Sequence, residues 1–148
     1  MQAIAVIAAL STVVAVAAPV RMSTGQSHYL EGCGGCHGIQ GASAEREIPQ
    51  LRGLVGRFLY TSAGREYLVR LPNVAFANMN DEVLADVLNF VVFRLGEGSA
   101  PPGAQGYTAR EVSVLRRHPF KNERLEALRA TILADATLRA NRGRESDQ

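Results

Sequence analysis

Cys33 and Cys36 are the only cysteines of this 148-residue chain, and with the residue that follows they form the run Cys33-Gly34-Gly35-Cys36-His37. Two thiols at this spacing lie about one helical turn apart, so each can form a thioether with a vinyl group of the same haem. The next residue's imidazole then meets the iron from one side. The pattern reads as the attachment site of one covalent haem c, with Cys33 and Cys36 holding the ring and His37 the iron. Two other chemistries compete for it. A thioredoxin-like dithiol also uses C-x-x-C, but it expects a βαβ setting and a low-pKa thiolate at a helix start, and no βαβ pattern is present. A structural zinc site wants four Cys/His ligands in two spaced pairs, and only His28 and His118 remain to complete one.

Covalent haem attachment belongs outside the reducing cytosol, and the start of the chain agrees. The first twenty residues carry no charge, and residues 3–18 are an apolar run rich in Ala and Val. Residues 1–18 read as a secretory signal peptide, with Ala15-Val16-Ala17 as a small-x-small cleavage site and a periplasmic destination. The n-region, Met1-Gln2, lacks the usual Lys or Arg. The run also approaches the roughly 20 apolar residues of a membrane span, which leaves an uncleaved anchor as the alternative.

The elements that must position these residues come from the remaining chain, which by length is one small domain or one domain with an appendage. Residues 22–97 hold six Arg against eight Asp/Glu, whereas residues 98–148 hold nine Lys/Arg against six acids. Between the two lies a Gly- and Pro-rich stretch, residues 98–106, that breaks regular structure and reads as a linker. With a formal net charge of +2, no Lys cluster and no recognition motif, nothing points to nucleic acid. Gly25, Tyr29 and Cys33 recur every four residues on one face of a first helix that ends at the haem ligands. Residues 80–95 place Leu84, Val87, Leu88, Val91 and Leu95 on the buried stripe of an amphipathic helix, capped by Asn80 or Asp81, with Glu82 favourable in its first turn. The two helices should pack together, Gly25 letting the ring of Phe90 or Phe93 approach. Strand signals are weak, so the expected class is all-α.

Gly25-x-x-x-Tyr29-x-x-x-Cys33-x-x-Cys36-His37, then Ile48-Pro49-Gln50-Leu51, then Met79 ahead of an amphipathic helix containing Phe90, resembles a class I cytochrome c of the small bacterial monohaem type. The resemblance covers about half of the chain. It implies a helical domain, residues 22–97, wrapped around one covalent haem. It also implies contact between Gly25 and Phe90, and a Pro49 carbonyl that accepts from Nδ1 of His37 and raises the ring's basicity.

Met79 lies 42 positions past His37, beyond an Arg- and Gly-rich loop, and just before the last core helix. A thioether there can reach the iron face opposite His37. Met22 is the rival, but the chain runs from it straight into the first helix. His28 is off the Cys33 face and His118 lies beyond the linker; both read as surface histidines. Neutral, soft sulfur raises the reduction potential relative to two imidazoles. Two protein ligands, His37 and Met79, leave no substrate position on the iron, so the chain reads as an electron carrier rather than an enzyme. Propionates would find partners among Arg52, Arg57, Tyr60, Arg65, Tyr67 and Arg70.

Residues 107–148 form a helical extension. Thr108 and Glu111 fit a capping box opening a helix to about Arg117, which Pro119 stops. Asn122 can cap a second helix with a stripe of Leu125, Leu128, Ile132 and Ala136, frayed from residue 141. The stripe of the second helix is expected to cover Val92 and Phe93; a docking arm for another protein is the alternative. The expected function is periplasmic transport of single electrons to and from redox protein partners, from a dehydrogenase to a later cytochrome or terminal oxidase. Membrane contact is expected only if the leader stays uncleaved. The alternatives are a haem enzyme or gas sensor with a labile distal ligand, and a fixed subunit of a dehydrogenase complex. Acid acetone should leave the haem on the protein, Cys33→Ser or Cys36→Ser should lower its retention, and His37→Ala should abolish the low-spin spectrum; complete extraction from the unmodified protein would contradict the motif reading.

Overall fold

Helix α1, Thr24–Gly32, starts where the Ser23 hydroxyl accepts from the Gln26 N–H at 3.2 Å, a side-chain cap that satisfies one of the orphan donors of the first turn. The computed structural model describes residues 21–44, 47–121 and 123–146, and among these every regular element is helical. The expected leader and the proposed Asn122 cap lie outside them. After α1 come α2, Gly34–His37; a 3-10 helix, Val55–Tyr60; α3, Ser62–Arg70; α4, Pro72–Ala75; and α5, Asp81–Asn89, which continues as a π-helix, Phe90–Leu95. The chain then forms α6, Ala109–Leu115, and α7, Leu125–Ser146. No described helix is long and apolar enough to cross a membrane.

The crossing of α1 and α5 orders the core. A Cβ on Gly25 would overlap the Asp86 carbonyl oxygen and fall 3.2 Å from Phe90 Cβ, so the two backbones meet with no room for a side chain between them. Phe90 is the ring that follows, with its centroid 5.4 Å from that of Tyr29, a tilted aromatic pair. Phe93, the other ring considered, lines a surface hollow beside the crossing with Arg21, Ser23 and Arg94. Tyr29 is fully buried, and its hydroxyl donates to the Gly38 carbonyl at 2.7 Å, tying α1 to the loop that leaves His37.

Asn80 Oδ1 accepts from the Val83 N–H at 2.8 Å and opens α5, with Asp81 and Glu82 in the first turn. Leu84, Ala85, Val87 and Leu88 form its buried face. Beyond Asn89 the expected stripe holds at Leu95, which is buried, but moves from Val91 to Val92. The Gly96 N–H donates to the Val91 carbonyl at 3.0 Å, an i to i+5 bond that spans one residue more than the i to i+4 bond of the α-helix. Val92 is therefore the fully buried residue, and Val91 is only half-buried.

The segment expected as a loop between Pro49 and Met79 holds three short helices. The Thr61 hydroxyl accepts from the Gly64 N–H at 2.9 Å and starts α3, and Pro72 starts α4 at the position where a missing N–H costs nothing. The 3-10 helix and α4 are too short for a period to show in the sequence, and the buried residues of α3 include the consecutive Tyr67, Leu68 and Val69. Phe58 stacks on Tyr67, centroids 5.3 Å apart, so this segment builds one wall of the larger apolar cluster with Leu84, Leu88 and Val92.

Residues 107–146 pack on that wall. Tyr107, Val112 and Ile132 belong to the same buried cluster, and Leu125 and Leu128 pack against it. Helix α7 lies on the 3-10 helix and α3, while α6 lies on α5 and α3. Ile132 of the α7 stripe shares its buried cluster with Val92, and Phe93, Leu125 and Leu128 pack against that cluster, while α6 takes the face of α5. Glu111 departs from the expected capping box. Thr108 caps α6, accepting from the Glu111 N–H at 3.2 Å, but the Glu111 carboxylate turns to Arg65, whose Nη2 donates to Oε2 at 2.7 Å. Helix α7 also continues through Ser146, past residue 141 where fraying was expected to begin.

Gly25→Ala should lower stability by about 1–3 kcal/mol in urea unfolding, since a backbone shift must accommodate the methyl group; an unchanged midpoint would contradict the close crossing. Burial, with the neighbouring Cys33 adding to it, pushes the Tyr29 phenol up to about 12. The neutral form is favoured in the fold, so its contribution is complete below the ordinary value of 10 and is lost between pH 10 and about 12. Burial raises Tyr67 and Tyr107 in the same direction. Tyr29→Phe should therefore shrink, without removing, the loss of stability between those pH values.

Candidate haem site

Helix α1 ends by handing the chain directly to the cysteines. The Cys33 N–H donates to the Tyr29 carbonyl at 2.8 Å, and the His37 N–H donates to the Cys33 carbonyl at 3.0 Å. Cys33, at φ −127°, is the joint between α1 and α2. One tight turn thus carries Cys36 and His37, with neither thiol in a disulfide, Cys33 half-buried and Cys36 exposed. Burial pushes the Cys33 thiol up, with Cys36 adding to it. A dithiol oxidoreductase depends on the opposite shift.

The loop after His37 returns on itself. Gly38, at φ +76°, turns it where a Cβ would lie 2.5 Å from the Ala42 carbonyl oxygen. Leu51 and Arg52 N–H groups both donate to the Gly41 carbonyl at 3.0 Å, and the Ser43 hydroxyl donates to the Ile48 carbonyl at 2.7 Å. Between these ties the Pro49 carbonyl oxygen sits 3.1 Å from His37 Nδ1. That contact places the proton on Nδ1 and leaves the Nε2 lone pair for a metal.

Met79 comes to the same place from the other end of the domain. It is half-buried in the short loop between α4 and α5, and a Cβ on Gly32 would lie 3.0 Å from its Cε methyl. It packs against the smaller apolar cluster of Tyr29, Val87 and Leu95, to which Cys33, Leu51 and Phe90 also belong. Met22, by contrast, is 57% exposed. His28 pairs on the surface with Glu31, Nδ1 to Oε2 3.2 Å, and His118 is exposed beyond α6.

The loop bearing Met79 is held from outside. Arg116, just past the last turn of α6, donates through Nε to the Ala75 carbonyl at 2.9 Å, through Nη2 to the Ala77 carbonyl at 2.7 Å, and through Nη1 to the Met79 carbonyl at 2.8 Å. Nη1 also reaches Asp81 Oδ1 at 3.0 Å. The hydrogen bond from Arg116, with one from Ser113, keeps the Asp81 carboxyl below its ordinary value. Sequence reasoning passed over Arg116, and no local signal marks it, because its partners lie 35 to 41 positions away.

The group expected to meet propionates is largely engaged elsewhere. Arg65 donates to the Gln105 and Gly106 carbonyls at 2.7 and 2.8 Å and lies 4.3 Å over the Tyr107 ring. Arg70 donates to the His118 carbonyl at 2.7 Å and lies 4.4 Å over Phe120. Tyr67 donates to the Leu125 carbonyl at 3.2 Å. Those three fasten residues 105–125 to the core. Arg52 holds Glu97 and Gln40 at 2.9 and 2.8 Å; Arg57 is exposed and Tyr60 half-buried on the 3-10 helix.

The donor set fits a haem: two thiols outside any disulfide, an imidazole with Nδ1 engaged, a thioether, and an apolar wall beside them. The comparisons with known proteins agree. The family model described as cytochrome c matches residues 22–92. Cytochrome c-552 of Thermus thermophilus is 30% identical over 102 residues, covering 57% of this chain and 78% of that protein. A second cytochrome c-552, from a particular strain of Thermus thermophilus, shows the same identity over the same length, covering 69% of that protein. No solved structure matches significantly. With the motif, the helical fold and these relatives in agreement, the chain belongs to the cytochrome c family, whose members bind haem c covalently through its ring and carry electrons on its iron.

Proposed function

We propose that this chain is a periplasmic monohaem carrier of single electrons, with Cys33 and Cys36 as thioether positions and His37 Nε2 and Met79 Sδ as the iron ligands. The observation that carries the reading is the meeting of Met79 with the end of α1, Cε against Gly32, next to a histidine whose Nδ1 is already engaged by Pro49. Bound haem supplies a one-electron iron couple. The chain's residues tune it. The Pro49 carbonyl, by accepting from Nδ1, orients the ring and strengthens Nε2 as a donor. The neutral thioether of Met79 favours ferrous iron and raises the potential. Tyr29, Val87, Leu95 and Leu51 exclude water from the side they line.

With His37 and Met79 both holding the iron, no position on it would remain for a substrate, which supports carriage over catalysis or gas sensing. The natural partners are redox proteins: a periplasmic dehydrogenase as donor and a later cytochrome or terminal oxidase as acceptor. Export is supported by the uncharged apolar run of residues 1–20 and by the compartment that haem attachment requires. The burial of Val112 and Ile132 supports an extension that belongs to the body of the protein rather than a free docking arm.

In the ferric holoprotein a sulfur ligand produces a weak charge-transfer band at the red end of the spectrum. Met79→Ala should abolish it, and Met79→His should lower the midpoint potential. Persistence of the band in Met79→Ala would transfer the assignment to Met22.

A further inference from the structure

We propose that Arg116 is a positioning residue for Met79, so that the C-terminal extension sets how firmly the sulfur is held at the iron. The inference rests on the assignment of Met79 as the distal ligand and adds to it a residue outside the part of the chain that matches the cytochrome c family, residues 22–92.

The loop between α4 and α5 has few bonds of its own. The Ala77 N–H donates to Val74 at 3.1 Å and the Met79 N–H to Ala77 at 2.8 Å, and Asn80 already belongs to the cap of α5. The carbonyls of Ala75 and Met79 would otherwise be left to water, as the last carbonyls of a helix usually are, and that of Ala77 would keep only the Met79 N–H. One guanidinium takes all three and Asp81 besides. Its side chain is 17% exposed, so little water competes for those donors. The bond to the Met79 carbonyl fixes the peptide plane that follows the ligand's own Cα, and the bonds to Ala75 and Ala77 fix the chain that precedes it. A planar fork serves several acceptors in one plane; an ammonium at the end of a flexible stem does not.

Holding the loop this way biases the equilibrium between bound and released sulfur. Imidazole added to the ferric holoprotein can bind only the form in which the sulfur is released, so its apparent affinity rises in proportion to that population. Arg116→Gln should tighten imidazole binding by roughly tenfold or more, the scale of a lost charge-assisted hydrogen bond, and should weaken the sulfur-to-iron band. Arg116→Lys should fall between the two.

The control is Arg65→Gln. Arg65 fastens the same extension through Glu111, Gln105 and Gly106, so its loss should lower the melting temperature while leaving imidazole affinity within about twofold of the unmodified protein. Equal shifts in the Arg116 and Arg65 variants would reduce Arg116 to a structural role and overturn the proposal, as would an unchanged affinity in Arg116→Gln. Should Arg116→Gln fail to accumulate as holoprotein, Arg116→Lys carries the comparison with Arg65→Gln, and an affinity no tighter than that control would overturn the proposal. Met79→Ala separates the two layers: loss of the band there with no response to Arg116 defeats this inference alone, whereas a band that survives Met79→Ala defeats the ligand assignment and this inference with it.

Discussion

The contact of the α1 backbone with the α5 backbone at Gly25 is the constraint on which the arrangement depends. Because nothing larger than hydrogen fits against the Asp86 carbonyl, α1 lies close enough for Tyr29 to be fully buried beside Phe90. From that position the Tyr29 hydroxyl holds Gly38, and the Tyr29 carbonyl holds the Cys33 N–H. The two bonds bracket the cysteine turn. The same crossing brings the end of α1 against Met79, since Met79 stands just ahead of α5. A local steric condition thus sets the meeting of two segments far apart in the chain.

Residues 98–146 are joined to this core through guanidinium groups as much as through apolar contact. Arg65, Arg70 and Arg116 each donate to backbone carbonyls across the divide, bonds that are stronger than neutral ones because the donor is charged. Asn89 works in the same way on a smaller scale: its amide nitrogen donates to the Tyr107 carbonyl at 3.0 Å and its oxygen accepts from the Tyr107 N–H at 2.6 Å. Small cores gain little from burial alone, and here an added layer contributes Tyr107, Val112 and Ile132 to the same apolar cluster.

What was legible in the sequence was what local rules govern. The spacing of Gly25 and Tyr29, the Asn80 and Thr108 caps, and the α5 stripe as far as Leu88 follow from period and capping chemistry, and the structure has them. The cysteine turn was legible because covalent chemistry restricts its spacing. The exchange of Val91 for Val92 was not, because a π-helical turn is imposed by packing and leaves the residue pattern looking α-helical. The helices between Val55 and Ala75 showed no period, the 3-10 helix and α4 because they are short and α3 because its buried Tyr67, Leu68 and Val69 are consecutive. The roles of the arginines were not legible for a third reason: a long charged side chain can serve any acceptor within its reach, and Arg65, Arg70 and Arg116 donate to backbone carbonyls dozens of positions away, which residue identity cannot reveal.

The central claim is that the Met79 thioether, together with the His37 imidazole, would hold the haem iron. Proton NMR of the ferrous, diamagnetic holoprotein tests it most directly, because a methyl group held over the face of a large aromatic ring experiences the full shielding of the ring current. With methionine methyls labelled in carbon-13, the account predicts a single three-proton resonance displaced far upfield of every other methyl, absent when Met79 is replaced. A Met79 methyl at the ordinary position for methionine, with the displaced resonance missing or belonging to Met22, would contradict it.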